Sequence, residues 1–172
     1  MERQIRLLGN PINFIYFYFM SNSNDLLLVT KHFSELTTNE LYAILHLRSN
    51  VFVVEQKCIF LDPDNNDQKA YHTLGWMGDE LVATTRLFDK DIMYEGYQSI
   101  GRVANSAKFR GIGIGKALMN YSIQECERLF GKGQIKIGAQ LYLKKFYSDL
   151  GFEQSGDIYL EDEIDHIPMI FH

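Results

Sequence analysis

The sequence predicts a three-layer α/β domain, in which helices flank a mixed and mostly antiparallel β-sheet. Two strand-like runs are separated by two residues suited to a tight turn, which indicates antiparallel pairing. A capping box opens one helical segment, and a glycine-rich turn joins a strand to another helix. The segments follow one another in the order βαβββαβαββ, and this alternation implies the three layers.

Length and composition fit one globular domain. The chain has 172 residues, of which 46% are hydrophobic and 23% charged. Its net charge of -5 argues against a nucleic-acid partner, which normally requires a basic face. The two cysteines are too few for a secreted disulfide framework or a zinc site, so we expect a cytoplasmic protein.

The N-terminus differs from the rest of the chain. Residues 12–20 are a nine-residue run with five aromatic side chains, far too short to span a membrane. No small-x-small cleavage site follows, which disfavours a secretory signal peptide. We therefore divide the chain into an N-terminal extension, residues 1–20, and a single domain, residues 21–172. The extension either packs as an extra strand or stays loose.

The first half of the domain contains a strand, a helix and a hairpin. An apolar run predicts a strand over residues 26–33, and Thr37 with Glu40 forms a capping box for a helix that extends to about residue 54. Strands over residues 72–77 and 80–87 are joined by Gly-Asp, a pair typical of a two-residue hairpin turn.

The second half alternates strands with helices. Apolar side chains at helical spacing predict a helix from residue 113 to about 130, which ends at Gly131. Its core-facing residues are Ile114, Leu118, Tyr121 and Cys126. The remaining predicted elements are a strand over 100–105, a strand over 134–139, a short helix over 141–150 and a terminal hairpin from residue 152 that includes 164–171.

The glycine-rich turn, Arg110-Gly-Ile-Gly-Ile-Gly-Lys116, is suited to binding phosphate. Alternate glycines leave the main chain free of side chains, so several N–H groups can converge on one anion. The helix start adds a partial positive charge, and Arg110 and Lys116 supply full charges.

Two well-known phosphate loops do not fit this turn. A nucleoside-triphosphate loop needs a glycine where Arg110 stands and a serine or threonine where Ala117 stands. A dinucleotide fingerprint needs its third glycine at Lys116 or Leu118. A nucleoside-triphosphate enzyme is therefore disfavoured.

What remains is Arg-x-x-Gly-x-Gly at residues 110–115, which resembles the pyrophosphate-binding signature of the GNAT family of acetyl-coenzyme A dependent N-acetyltransferases. A second motif, from Gln140 through Phe146 and Tyr147 to Gly-Phe at 151–152, is similar to that family's Asn-x-x-Ala-x-x-x-Tyr segment. Residues 47–56, 101–103, 138–140 and 166–169 resemble the ElaA-type branch. The resemblance spans about residues 26–171 and implies the GNAT-like three-layer fold.

The resemblance also implies a coenzyme site. The strand before the loop lends main-chain groups to the pantetheine arm, the loop holds the pyrophosphate, and Gln140 replaces the usual asparagine. The implied acetyl-coenzyme A contacts are Val103, Asn105, Arg110, Gly111, Ile112, Gly113, Ile114, Gly115, Lys116, Gln140 and Phe146. Asn105 and Ala107 replace an apolar residue and a proline, but main-chain N–H donation depends on neither side chain.

The resemblance implies direct attack of a primary amine on the acetyl thioester, with the β-strand N–H groups stabilising the oxyanion. Tyr147 is our general acid, since a thiol pKa of about 8.5 and a tyrosine pKa of about 10 permit proton transfer to the thiolate. Glu55, His72 and His166 are candidate bases or amine-binding residues. Each also has a simpler interpretation, as a salt bridge for Glu55 and as a structural contact for a histidine.

Charged residues surround these candidates. Arg48, Arg86 and Arg102 are expected to hold carboxylates in or near the cleft. The acidic stretch at residues 62–67 resembles a calcium loop, but Asp67 occupies the position that requires glycine, so we expect no metal. Its acidity, like that of residues 161–163, could instead attract a cationic amine.

Two function classes remain open. The leading hypothesis is an acetyltransferase that acts on a small-molecule or peptide amine, with no membrane partner. The alternative is an acyl-coenzyme A binding module that senses without turnover. The sequence leaves open the identity of the amine and the oligomeric state, a homodimer included.

Overall fold

The computed structural model describes residues 17–19 and 26–172. Within these residues, nine strands form one sheet and three α-helices pack against it. The strands are β1 (Phe17–Phe19), β2 (Leu26–His32), β3 (Tyr71–Met77), β4 (Glu80–Phe88), β5 (Gln98–Asn105), β6 (Ile135–Gln140), β7 (Glu153–Gln154), β8 (Tyr159–Glu161) and β9 (Ile164–Phe171). The helices are α1 (Thr38–Arg48), α2 (Ile114–Phe130) and α3 (Lys144–Ser148).

The sheet is mixed and mostly antiparallel, as predicted. Its strand order is β1-β2-β3-β4-β5-β6-β9-β7, and β8 pairs with β9 outside this path. Only β5 and β6 run parallel to each other among the paired strands of the described residues. The GNAT-like three-layer fold class is thereby confirmed.

The first helix begins where the capping box predicts. The Thr37 side chain accepts a hydrogen bond from the Glu40 N–H, and the Glu40 carboxylate accepts one from the Thr37 N–H. The predicted extent to about residue 54 is correct, but the kind of helix changes on the way. After Arg48 the chain continues as a π-helical segment, Ser49–Glu55. Such wide turns are rare and frequently mark functional sites.

Helix α2 packs on the sheet with the predicted face. Ile114, Leu118, Tyr121 and Cys126 are all buried among the strand side chains. The helix ends at Gly131, whose φ of 78° lies in the left-handed region that side chains disfavour. Because this face is buried against the sheet, α2 starts beside the end of β5. The glycine-rich turn between them therefore lies at the surface of the sheet.

The C-terminal region differs from the prediction in two details. The single helix predicted over 141–150 is a 3₁₀ turn, Leu141–Leu143, followed by α3. Strand β8 was not predicted, because its residues are all exposed and show no alternation of apolar and polar side chains. The terminal hairpin itself forms, since β7 pairs with β9.

At the N-terminus, β1 pairs antiparallel with β2. The other residues of the proposed extension, 1–16 and 20, lie outside the described residues, as do residues 21–25. The division at residue 20 therefore stays a prediction.

A buried network of ion pairs joins the helical layer to the sheet. Arg48, at the end of α1, is 1% exposed and donates to Asp62 at 2.8 Å and to Asp67 at 2.7 Å. Arg86 on β4 donates to the same oxygen of Asp67 at 3.0 Å and binds Asp64 at 2.7 Å. The 62–67 loop is therefore held between α1 and β4 by charge-assisted hydrogen bonds.

Arg102 extends this network into β5. Its Nε lies 2.8 Å from Asp62, and its φ of 49° marks an irregularity in the strand. The expectation that Arg48, Arg86 and Arg102 hold carboxylates is correct, but the carboxylates belong to the protein's own loop. The expectation that the acidity of this loop attracts an amine is wrong for the loop aspartates, because the three arginines compensate their charge.

The buried ion-pair network makes the stability of the folded protein depend on pH. Burial disfavours the charged form of Asp67, but hydrogen bonds from Arg48 and Arg86 outweigh it and lower the pKa of this carboxyl. The pKa of Asp64 is likewise lowered, by Arg86 and the Asn66 N–H, against the opposing effect of burial. A lowered carboxyl pKa contributes stability above the unfolded-state pKa of about 4, and this contribution is lost as pH falls through the folded-state pKa.

We predict that Asp67→Asn destabilises the protein by about 3 kcal/mol at pH 7, because it leaves two buried guanidinium groups short of a counter-charge. Urea unfolding at pH 7 and at pH 3 measures the free energy of unfolding. The loss should shrink at pH 3, where the wild-type protein has itself lost part of this contribution. Asp149→Asn removes an exposed pair with Lys145 and should change stability by less than about 0.5 kcal/mol. Equal losses at both pH values for Asp67→Asn would contradict a charge-based role.

Candidate functional site

A cleft opens where β5 and β6 separate. The two strands pair only through Gln98 and Ser99 at one end of β5, and beyond these residues no register joins them. The gap widens into a cleft of about 450 Å³. Its walls come from the π-helical segment, β5, the start of α2, β6, the 3₁₀ turn, α3 and the β8–β9 turn.

The β5 side of the cleft has no partner in β6 beyond Ser99. The pairing of β4 with β5 is irregular between Thr84 and Arg86, so Arg102 and Val103 have a register partner in neither neighbouring strand. Asn105 also lines the cleft, and its buried side-chain Oδ1 has no hydrogen-bond partner in the described residues. An unpaired stretch of strand can accept an extended ligand as an additional strand would bind.

The glycine-rich turn lies at one end of this stretch. Gly111 and Gly113 have φ values of 78° and 93°, and an added Cβ at either would meet nothing within 4 Å. No side chain caps α2. The Ala117 N–H is the first N–H group of the helix that donates a main-chain hydrogen bond, to the Gly113 carbonyl at 3.0 Å. The N–H groups of residues 114–116 are thus available to an anion.

The two cations of the turn are in different situations. Lys116 is exposed and forms no ion pair with the described residues. Arg110 instead binds Glu55 with both terminal nitrogens, the Nη2–Oε2 distance being 2.9 Å. It also donates to the Asn105 carbonyl, from Nε at 3.2 Å and from Nη2 at 3.0 Å. Arg110 therefore links the turn to β5 and to the π-helical segment.

The opposite wall carries the second predicted motif. Gln140, at the end of β6, donates from Nε2 to the Gln56 Oε1 at 3.1 Å. Phe146 approaches the turn, because an added Cβ at Gly115 would lie 3.7 Å from its ring. All of these residues line the cleft. The structure thus brings Arg110 and Gly115 of the first motif to one cleft with the second motif. The other predicted contacts of the turn do not line this cleft: Gly111, Ile112, Gly113, Ile114 and Lys116.

Tyr147 faces the same cleft from α3. Its side chain is 5% exposed, and its ring packs edge-on against Phe146 at 5.0 Å and Phe152 at 5.9 Å between centroids. Burial, with a smaller contribution from Tyr142, raises the pKa of Tyr147 well above its usual range. The hydroxyl is therefore protonated throughout the neutral range.

The three candidate bases occupy different positions. Glu55 and His166 line the cleft, and the Nδ1 of His166 lies 2.8 Å from the Ile164 carbonyl oxygen. His72 does not line it. This histidine is 1% exposed on β3, its Nε2 is 3.0 Å from the Asp67 carbonyl oxygen, and burial lowers its pKa. His72 thus has the structural contact that was its simpler interpretation, and Glu55 has the salt bridge.

Sequence reasoning missed one wall of the cleft. Its members are large apolar or aromatic side chains that line the cleft: Phe52, Phe60, Phe88, Met93 and Tyr94. They come from four separate segments, so no local periodicity or motif connects them in the sequence. Burial and the nearby Glu161 raise the pKa of Tyr94, which keeps its hydroxyl neutral. An apolar wall next to carboxylates suits an organic ammonium group.

The described residues give less support to a metal site or to a cysteine nucleophile. No group of three or more histidine, cysteine, aspartate or glutamate side chains in the described residues is arranged to hold a metal ion. Cys58 lines the cleft, but its Sγ donates to the Asp162 carbonyl at 3.6 Å, and no hydrogen bond joins it to a histidine of the described residues. Among residues 17–19 and 26–172, no helix has the length and apolar character that crossing a membrane requires.

Comparison with known proteins agrees with this geometry. The profile of the acetyltransferase (GNAT) domain matches residues 61–172. Protein ElaA of Escherichia coli K12 is 41% identical over 140 residues, which cover 80% of this chain and 91% of ElaA. The crystal structure of Escherichia coli ElaA matches with a TM-score of 0.80 and 38% identity, over 86% of this chain and 99% of that one.

Two further solved structures are similar. An acyl-CoA N-acyltransferase from Pseudomonas aeruginosa matches with a TM-score of 0.81 and 40% identity, over 86% of this chain and 99% of that one. A Bacillus subtilis acetyltransferase, solved in complex with CoA, shares the fold with a TM-score of 0.61 at 20% identity, over 85% of this chain and 97% of its own. The matching domain profile and the identity to ElaA show that this chain belongs to the GNAT acetyltransferase family.

Proposed function

We propose that this protein transfers an acetyl group from acetyl-coenzyme A to a primary amine by direct attack, without a covalent enzyme intermediate. One observation carries the proposal: where β5 and β6 separate, Arg110 and Gly115 of the glycine-rich turn, a stretch of β5 without a β6 partner and a protonated tyrosine line the same cleft. Each of the three corresponds to one requirement of the reaction, namely binding the diphosphate, holding the pantetheine arm and donating a proton.

The residues present fit the coenzyme. The uncapped N–H groups of residues 114–116, together with Lys116, would hold the diphosphate. The unpaired main chain at Val103 and the side chain of Gln140 would hold the pantetheine arm from opposite walls. When bound, acetyl-coenzyme A supplies an acyl group activated as a thioester.

Tyr147 is the proposed proton donor. The sequence argument used its ordinary pKa of about 10, close to that of a thiol. Burial raises this pKa, so the hydroxyl is always protonated but releases its proton less readily. Its role is then best described as donating a strong hydrogen bond to the leaving sulfur, with full transfer only if charge develops there.

The acceptor would enter along the apolar and aromatic wall. Glu161 and Asp162 line this end of the cleft and form no ion pair with the described residues, so their charge is available to a cationic amine. Glu55 and His166 are the proposed groups that accept the amine's proton or orient its nitrogen. We do not extend this role to His72, because it lies outside the cleft lining.

An acceptor screen tests the proposal directly. The protein is mixed with acetyl-coenzyme A and a panel that contains a polyamine, an aromatic amine, an amino sugar and a lysine-containing peptide, and release of free thiol is followed. Amine-dependent thiol release supports the proposal. Coenzyme binding without release for any amine would instead favour a sensor that binds acyl-coenzyme A without turnover.

We predict that Tyr147→Phe slows acetyl transfer by about 100-fold, because it removes the donor while keeping the buried ring in place. Calorimetry should show coenzyme A affinity within about twofold of the wild-type value, since the ring packing is preserved. Tyr42→Phe, at an exposed tyrosine on α1, is the matched control and should react at the wild-type rate. Unchanged turnover in Tyr147→Phe would remove Tyr147 from the mechanism.

We predict that Arg110→Glu weakens coenzyme A binding by about tenfold or more, because it places a negative charge beside the proposed diphosphate site. Lys132→Glu makes the same change in net charge at the far end of α2 and serves as the control. Titration calorimetry with coenzyme A measures both affinities. Equal affinities for the two variants would contradict the assignment of the turn.

A further inference from the structure

The end of the π-helical segment contacts two residues that the coenzyme is proposed to use. Glu55 binds both terminal nitrogens of Arg110 in the glycine-rich turn, and Gln56 accepts a hydrogen bond from Gln140 on the opposite wall. These two adjacent residues line the cleft and contact both of its walls, at Arg110 and at Gln140.

The guanidinium of Arg110 has little donor capacity left in this arrangement. Its Nε and Nη2 donate to the Asn105 carbonyl, and its Nη1 and Nη2 donate to the two oxygens of Glu55. A phosphate oxygen pair would occupy the same donor fork as a carboxylate does. Arg110 can therefore bind Glu55 or a diphosphate in this bidentate way, but not both at once.

We propose that the coenzyme diphosphate displaces Glu55 from Arg110, and that the released Glu55 carboxylate then binds the ammonium group of the acceptor. This inference rests on the proposed function and adds to it a competition between Glu55 and the diphosphate for Arg110. Before coenzyme binds, Arg110 neutralises Glu55, so the carboxylate has little attraction for a cation. Afterwards its charge faces the cleft that it already lines.

The exchange is energetically accessible. The side chains of Arg110 and Glu55 are 44% and 40% exposed, so solvent screens their interaction. Ion pairs as exposed as this one contribute little to stability. A diphosphate carries more charge than one carboxylate and would gain the N–H groups of the turn in addition. Coenzyme binding can therefore break the pair at a small cost in affinity.

The test compares coenzyme A affinities by titration calorimetry. Glu55→Gln keeps the size of the side chain but removes the competing charge, so it should bind coenzyme A about two- to fivefold more tightly than the wild type. Glu80→Gln is the matched control. It removes a similarly exposed carboxylate paired with Lys108, away from the cleft lining, and should leave the affinity unchanged.

A double-mutant cycle separates competition for Arg110 from a general effect of charge. In an Arg110→Gln background, Glu55→Gln should no longer tighten coenzyme A binding, because the shared partner is gone. Persistent tightening in that background, or unchanged or weaker binding in Glu55→Gln alone, would overturn the inference.

The acceptor half of the inference is tested with the amine that reacts fastest in the screen. Glu55→Gln should raise the KM for that amine while lowering the KM for acetyl-coenzyme A, whereas a merely structural role would not move the two in opposite directions. A fall in both KM values, or a rise in both, would contradict the proposal that the released Glu55 carboxylate binds the amine. Failure of the wild-type protein to bind coenzyme A at all would overturn the proposed function itself, a distinguishable result.

Discussion

The cleft depends on one constraint. Main-chain N–H and C=O groups that have no neighbouring strand to pair with need other hydrogen-bond partners. Beyond Ser99 the main chain of β5 has no partner in β6, and the N–H groups at the start of α2 have no side-chain cap. These groups are left to solvent or to a ligand. An extended chain ending in a diphosphate matches both sets, because it can pair with the strand and place its charge at the helix start.

The buried arginine–aspartate network adjoins the cleft, because Arg86 and Arg102 also line it. Arg102 sits at the irregularity in β5 and binds Asp62, which Arg48 fixes to the end of α1. The π-helical segment starts directly after Arg48, so the same network positions the segment that ends in Glu55. Because the network's charges compensate one another, the charge of the cleft derives from its rim, where the glycine-rich turn and the β8–β9 turn lie.

Local signals in the sequence were sufficient for most of the fold and for the two motifs that contribute residues to one cleft. The capping box at Thr37, the spacing of apolar residues in α2 and the alternate glycines each act over a few residues, so they can be recognised without the fold. Features that depend on distant residues were not predictable. The Arg110–Glu55 pair joins residues 55 positions apart, and the burial of His72 depends on the loop that covers it. The change to π-helix after Arg48 has no local signature, since the periodicity continues through it.

Tyr147 illustrates how packing and chemistry are coupled at such a site. The edge-on contacts with Phe146 and Phe152 hold the ring in place, and the same burial raises the pKa of its hydroxyl. A more exposed tyrosine would be a stronger acid but would be free to choose other rotamers and water partners. Under the proposed function, the raised pKa has a compensating benefit. A tyrosinate formed during one turnover would recover its proton from water rapidly at neutral pH, so the donor is restored without a second acid in the cleft.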